Sequence, residues 1–195
     1  MTAPESNAGA AARDEGARPV VLSGCSGGGK SSLLDELARR GWRTVPEAGR
    51  QVVREELERG GDGLPWVDPV RFVDLALSWA VGGYEDQPTG EGPCYFDRSI
   101  VDLVAYLAFC GRETPPHVAG LPEIHRYHHT VFMTPPWRDI FGSDMQRRKT
   151  FEQAVAEYHA LVAVYRRFGY RICVIPRGSI TWRADFVESA AGRSP

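Results

Sequence analysis

One stretch constrains this chain more than any other: Gly24-Cys25-Ser26-Gly27-Gly28-Gly29-Lys30-Ser31. It satisfies G-x-x-x-x-G-K-[ST], the spacing of a loop that wraps phosphate. Glycines admit backbone angles that a Cβ forbids, so successive N–H groups can turn inward around an anion. The lysine brings a point charge to β- and γ-phosphate oxygens, and the serine hydroxyl can ligate Mg²⁺. The surroundings fit the motif. Pro19-Val20-Val21-Leu22-Ser23 is a short apolar run that predicts a buried strand, while Leu33, Leu34, Leu37 and Ala38 recur at helical spacing up to a stop at Gly41. With Ser32 in the first helical turn, the whole segment reads as a phosphate cradle opening a helix whose dipole favours anions. A glycine-rich turn with an accidental lysine would not need this strand–loop–helix setting.

The same alternation continues. Strands are predicted at 42–45, 94–97, 130–133 and 172–176, and helices at 47–60, from Pro69 to Gly82 with Asp68 as N-cap, at 100–110, 151–168 and 181–191. A proline-interrupted, partly helical stretch fills 114–127. Strands alternating with helices imply right-handed βαβ units, so the expected architecture is a three-layer α/β/α fold on a five-stranded parallel sheet. A chain of 195 residues suits one such domain. Residues 1–18, rich in Ala and Gly, read as a disordered leader; 19–195 read as the domain, with a polar, Arg-rich segment at about 135–150.

Charge and cysteine usage exclude several classes. With 23 basic and 25 acidic side chains the formal net charge is −2, which argues against a dedicated nucleic-acid binder. No apolar run reaches the ~20 residues of a membrane span, and the leader has no apolar core of a secretory signal. Cys25, Cys94, Cys110 and Cys173 form no C-x-x-C pair, which fits reduced thiols in a cytoplasmic protein. His125, His128 and His129 lack a cysteine or carboxylate at ligand spacing and read as surface histidines. Nothing here sets the oligomeric state.

Three absences narrow the loop's class. Lys149, in Arg147-Arg148-Lys149-Thr150, does not make the [NT]-K-x-D guanine motif; the third strand ends Phe96-Asp97-Arg98-Ser99 rather than in adjacent acids; and no LSGGQ segment occurs. Asp97-Arg98 after an apolar strand resembles the D/E-R-S/Y motif of nucleoside and nucleotide kinases. The chain resembles that P-loop kinase superfamily from Pro19 to about Ala191. It is most similar to the small predicted AAA-domain ATPases related to the ribosylnicotinamide kinase domain. The matching segments are the loop, 45–50, 95–99 with Asp102 and Tyr106, 130–136, and the run from Arg147 through Tyr165 and 169–170 to Pro176. Gly49 stands where relatives often carry Ala.

Roles follow from position and from the resemblance. Asp97, at a strand C-terminus, could hold Mg²⁺ with Ser31, or merely cap the next helix. Glu47, after the second strand, would by resemblance be the base or hydroxyl-orienting carboxylate; its plain reading is a first-turn acid. Arg50 and Arg98 could clamp phosphate or acceptor. The resemblance makes 135–150 a lid, in which Arg138, Arg147 and Arg148 spread transition-state charge and Asp139 and Asp144 pair with arginines when it is open; a solvated charge run is the alternative. Arg177, after the fifth strand, is placed at adenine, or in an ordinary turn. Trp66, Trp79 and Tyr84 either line an acceptor cavity or, more plainly, belong to the core. Cys25, taken as exposed in the loop, would be oxidation-sensitive. The expected function is ATP- and Mg²⁺-dependent phosphoryl transfer to a nucleoside or other small metabolite. The alternatives are an ATPase switch acting through a protein partner, and nucleotide binding without chemistry.

Overall fold

Side chains alternate along the central strands, and each strand therefore feeds two cores. The computed structural model describes residues 19–87, 92–141 and 150–192. The leader at 1–18 and, from the lid, Asp144, Arg147 and Arg148 lie outside the described residues. Strands β1 (Val20–Gly24), β2 (Arg43–Val45), β3 (Cys94–Asp97), β4 (Thr130–Thr134) and β5 (Arg171–Val174) form one parallel sheet in the order β2-β3-β1-β4-β5. Leu22 of β1 lies opposite Asp97 on one side and Phe132 on the other. The helices are α1 (Lys30–Arg39), α2 (Ala48–Arg59), α3 (Pro69–Glu85), α4 (Ile100–Phe109), α5 (Pro116–Ala119), α6 (Leu121–Ile124), α7 (Phe151–Arg167) and α8 (Ile180–Ala190).

Val21, Phe96, Val131 and Met133 face Val52, Val73, Val101, Leu161 and Tyr165, so α2, α3, α4 and α7 cover one face. Val20, Leu22, Tyr95 and Phe132 face Leu33, Leu37, Ala184 and Val187, so α1 and α8 cover the other. This is the three-layer arrangement expected from the alternating pattern. Both sheet faces being covered explains why β1, β3 and β4 read as nearly continuous apolar runs.

Caps fix where helices start. Asp68 accepts from the amides of Val70 and Arg71, both at 3.0 Å, with Pro69 at the first helical position. Helix α3 then passes the expected stop at Gly82 and ends at Glu85. At α4 the cap is Ser99, not Asp97: Ser99 Oγ accepts from Val101 N, and Asp102 reaches back to the Ser99 amide at 2.8 Å. That capping box leaves the Asp97 carboxylate outside the helix terminus. Thr150 and Gln153 make the same device at α7.

His125 and His128 are buried, correcting the surface reading; they bond to the carbonyls of Leu121 and Thr130. Among the described residues no group of His, Cys, Asp and Glu is arranged to hold a metal by itself. No helix among them is long and apolar enough to cross a membrane.

Candidate active site

The loop between β1 and α1 is held from behind at contact distance. Gly24 (φ 132°) lies so close to Thr134 of β4 that a Cβ would overlap its hydroxyl and carbonyl. A Cβ on Gly28 would meet the same hydroxyl at 2.7 Å, and one on Gly29 (φ 72°) the Arg183 guanidinium at 2.8 Å. Side chains at these positions would therefore clash, and at Gly24 and Gly29 the positive φ adds a backbone cost. Gly29 is the N-cap of α1 and supplies no side-chain cap, and the first turn contains no acid. The first amides of α1 are thus left without a protein carboxylate, the condition for binding an external anion.

Lys30 is buried, with Nζ 3.0 Å from Asp97 Oδ1. Asp97 is also buried, and Oδ1 makes no aligned hydrogen bond. The Lys30 ammonium supplies the cation that this buried carboxylate oxygen requires. Ser31 Oγ accepts from Arg50 Nη2 at 3.0 Å, and Arg50 Nε reaches Glu47 at 3.0 Å. Ser31 lines the cavity along the glycine loop and Asp97 the one beside it. A serine hydroxyl and a carboxylate form a hard oxygen donor set that fits Mg²⁺ completed by phosphate and water.

Arg98 is the hub. It is the one non-glycine described residue at positive φ (69°), and its amide donates to Leu22 O at 2.9 Å, tying the turn to β1. That conformation aims the guanidinium at three carboxylates: Glu47 at 3.1 Å, Asp102 at 3.2 Å and Glu157 at 3.3 Å. Burial works against its charge, but Glu47, Glu157, Asp102 and Asp97 outweigh burial and hold the guanidinium pKa well above its ordinary value. Burial likewise pushes the Glu47 carboxyl up, yet Arg98, Lys30 and Arg50 prevail and bring it down to about 2. Glu47 is therefore a fixed anion at neutral pH. Asp102 is fully engaged: it accepts from Ser23 Oγ at 2.6 Å and from the Tyr165 hydroxyl, besides capping α4.

Two cavities meet at this hub. One, about 510 Å³, runs along residues 25–32 to Trp137, Ile140, Gly178, Ser179 and Arg183. The other, about 390 Å³, is walled by apolar groups including Val53, Phe72, Tyr106 and Leu161. Ser26, Glu47, Arg50 and Arg98 line both.

Trp66 and Trp79 are partly exposed and line the apolar cavity, so they are not the core aromatics of the plainer reading. Tyr84 is core: it donates to Arg126 O at 2.9 Å and packs edge-on against His125 and Tyr127. Cys25 is buried at 1% exposure, and burial together with Glu157 raises its thiol to about 11. It is thus neither exposed nor oxidation-prone, because the reactive thiolate is disfavoured. Arg138 is exposed, 3.2 Å from Glu152 and stacked over Phe151. Asp139 accepts from Trp137 Nε1 at 3.0 Å rather than from an arginine. Arg177 donates to Pro136 O at 2.8 Å beside the nucleotide-sized cavity.

Two participants escaped the sequence reading. Glu157 of α7 is buried and accepts from the Ser26 amide at 3.4 Å as well as from Arg98. Arg183 of α8 is 2% exposed and donates to Gly28 O at 3.1 Å and Gly29 O at 3.4 Å. Each is a charge among the buried residues of its helix, Glu157 between Ala154 and Leu161 and Arg183 beside Ala184 and Val187. That misplacement was the available signal.

Sheet order, loop and adjoining cavities define a P-loop protein with a kinase-like fold. Residues 19–183 match the model of a family described as an AAA domain, and the chain belongs to that family. No curated protein matches the chain. Among solved structures it is similar to NadR in complex with NR, at TM-score 0.62 and 16% identity over 91% of this chain and 52% of that one. The chain thus spans about half of the NadR chain. It is equally similar to thymidylate kinase from Ehrlichia chaffeensis, at TM-score 0.62 and 16% identity, covering 91% of this chain and 100% of that one. At this identity the likeness is one of fold.

Proposed function

We propose that the protein is a cytoplasmic, ATP-dependent phosphotransferase acting on a nucleoside or other small hydroxylated metabolite. The observation that carries this is the meeting of a phosphate cradle and a second, apolar cavity at Glu47, Arg50 and Arg98. A nucleotide switch read by a protein partner has no need of that second chamber. The nucleoside-type acceptor is also in keeping with kinase-fold neighbours.

In this reading the loop amides and Lys30 hold the β- and γ-phosphates, and Ser31 and Asp97 would hold Mg²⁺. The metal supplies neutralisation of charge on the phosphate oxygens. A bond forms from the acceptor oxygen to γ-phosphorus as the bond to the β,γ-bridging oxygen breaks; ADP leaves and the hydroxyl proton is released. Transition states of this kind are loose, so catalysis is mostly positioning and charge stabilisation. Glu47, with a pKa of about 2, is a weak base. Its role is to accept the acceptor's O–H as a hydrogen bond and orient the oxygen. Arg50, which donates to Ser31 Oγ and pairs with Glu47, would also be within the loop region to meet a phosphate oxygen. By the resemblance, Arg138, Arg147 and Arg148 would spread the transition-state charge, and Arg177 would lie near adenine in the loop after β5.

The test is transfer of labelled γ-phosphate to a small-molecule panel, with Lys30→Ala as the blank and EDTA as the metal-free control. Acceptor-dependent turnover by the wild type alone is expected. Hydrolysis that no small molecule stimulates, but a protein partner does, would overturn the reading.

A further inference from the structure

The two cavities differ in charge, and the difference bears on the acceptor; the inference rests on the phosphotransferase reading above. Among the described residues lining the apolar cavity, the acids are Glu47, Asp97, Asp102 and Glu157 and the guanidinium groups are Arg50 and Arg98. Both cations are already engaged. Arg98 holds Glu47, Asp102 and Glu157, and Arg50 spans from Glu47 to Ser31. The N-terminus of α4, which would otherwise offer amides to an anion, is filled by its own capping box. The phosphate cavity is the reverse, with Lys30, Arg183 and the α1 terminus that no side chain caps.

Glu157 stands on the boundary. One carboxylate oxygen accepts from the Ser26 amide inside the loop, and the other pairs with Arg98. Ser26 lines both cavities, so Glu157 sits where they adjoin.

We propose that Glu157 is a specificity-determining residue: with Glu47 it admits a nucleoside-like compound with a flat ring and a free hydroxyl and rejects the same compound bearing a phosphate. A phosphate brings about −1.5 to −2 charges. Here it would enter a chamber with low-dielectric walls where, among the described residues, four carboxylates face two guanidinium groups and the Lys30 ammonium that pairs with Asp97, and repulsion between like charges is strongest under those conditions. Sites built for phosphate present an arginine fork or open helix amides. The described wall offers neither, whereas Phe72, Trp79, Tyr106 and Phe109 offer flat apolar contact.

Calorimetric titration of ribo- and deoxyribonucleosides and their 5′-monophosphates, with and without Mg-AMP-PNP, tests this. At least one nucleoside is expected to bind, its monophosphate at least tenfold more weakly, and Glu157→Gln should narrow that ratio at least threefold. Should Glu157→Gln fail to fold, Gln153→Lys, which adds a cation on the exposed rim of the same cavity, should narrow it instead. Equal or tighter binding of the monophosphate overturns the proposal. So does an unchanged ratio in the folded variant, or a wild type that binds none of the panel. The ratio is read from binding, so absent phosphoryl transfer counts against the phosphotransferase reading, and a wrong ratio counts against Glu157.

Discussion

Replacing Arg183 with methionine keeps roughly the same side-chain volume in α8 and removes the two hydrogen bonds to Gly28 O and Gly29 O. Those carbonyls point backward so that the loop amides can point forward; freeing them lets the peptide planes rotate. A hydrogen bond from a charged donor contributes about 1.5–3 kcal/mol. Only the 3.1 Å bond to Gly28 is short enough for full weight; the one to Gly29 is 3.4 Å. If most of that energy is spent holding the cradle in its anion-binding shape, nucleotide binding weakens by about 1.5–3 kcal/mol, or roughly 10- to 150-fold. Folding stability should move less. Burial depresses the Arg183 pKa, and the Nε makes no hydrogen bond among the described residues, so the wild type carries a desolvation cost that methionine removes. The assay is calorimetric titration with Mg-ADP alongside urea unfolding, with Arg183→Lys as a partial variant, because an ammonium lacks the fork that spans two carbonyls. A folded Arg183→Met protein binding Mg-ADP within twofold of wild type would refute the bracing argument.

Arg98→Ala should destabilise the fold by about 3–5 kcal/mol in urea unfolding, because it leaves partly buried carboxylates without their cation; Arg98→Gly should recover about 1 kcal/mol of that, since only glycine adopts φ 69° freely. Equal losses in the two variants would show that backbone strain at this residue is negligible. Glu47 has a folded-state pKa of about 2 against an ordinary 4.5, so its stabilising share is complete above about pH 4.5 and is lost as pH falls toward 2. The stability gap between wild type and Glu47→Gln should therefore be flat from pH 7 to 5 and shrink below that; a gap that widens on acidification would reverse the sign. Cys25, with its thiol raised to about 11, should be alkylated by iodoacetamide at pH 8 far more slowly than half-buried Cys110, as read by peptide mass spectrometry; early labelling of Cys25 would contradict its burial.

Much of the layout was legible because it is local. The glycine loop, the Asp68-Pro69 start of α3 and the apolar runs of β1, β3 and β4 each carry their cause within a few residues. Asp97 at a strand end followed by Arg98 was likewise visible. Its capping alternative failed because Ser99 and Asp102, three residues apart, close their own box. The sequence left Trp66 and Trp79 between cavity and core because composition reports how apolar a residue is, not whether its neighbours leave a gap beside it.

The sequence by itself determined a glycine loop at residues 24–31 with the shape of an anion cradle and a parallel sheet behind it, since glycine spacing, strand pattern and helix periodicity are properties of contiguous segments. Tertiary structure alone decided what surrounds that loop. Arg183 arrives from α8, 155 positions beyond Gly28, and Glu157 from α7, 131 beyond Ser26. Charges so far apart in sequence acquire a common purpose only when the sheet order sets their helices against the same loop, because electrostatic and hydrogen-bond energies depend on distance in space and not on distance along the chain.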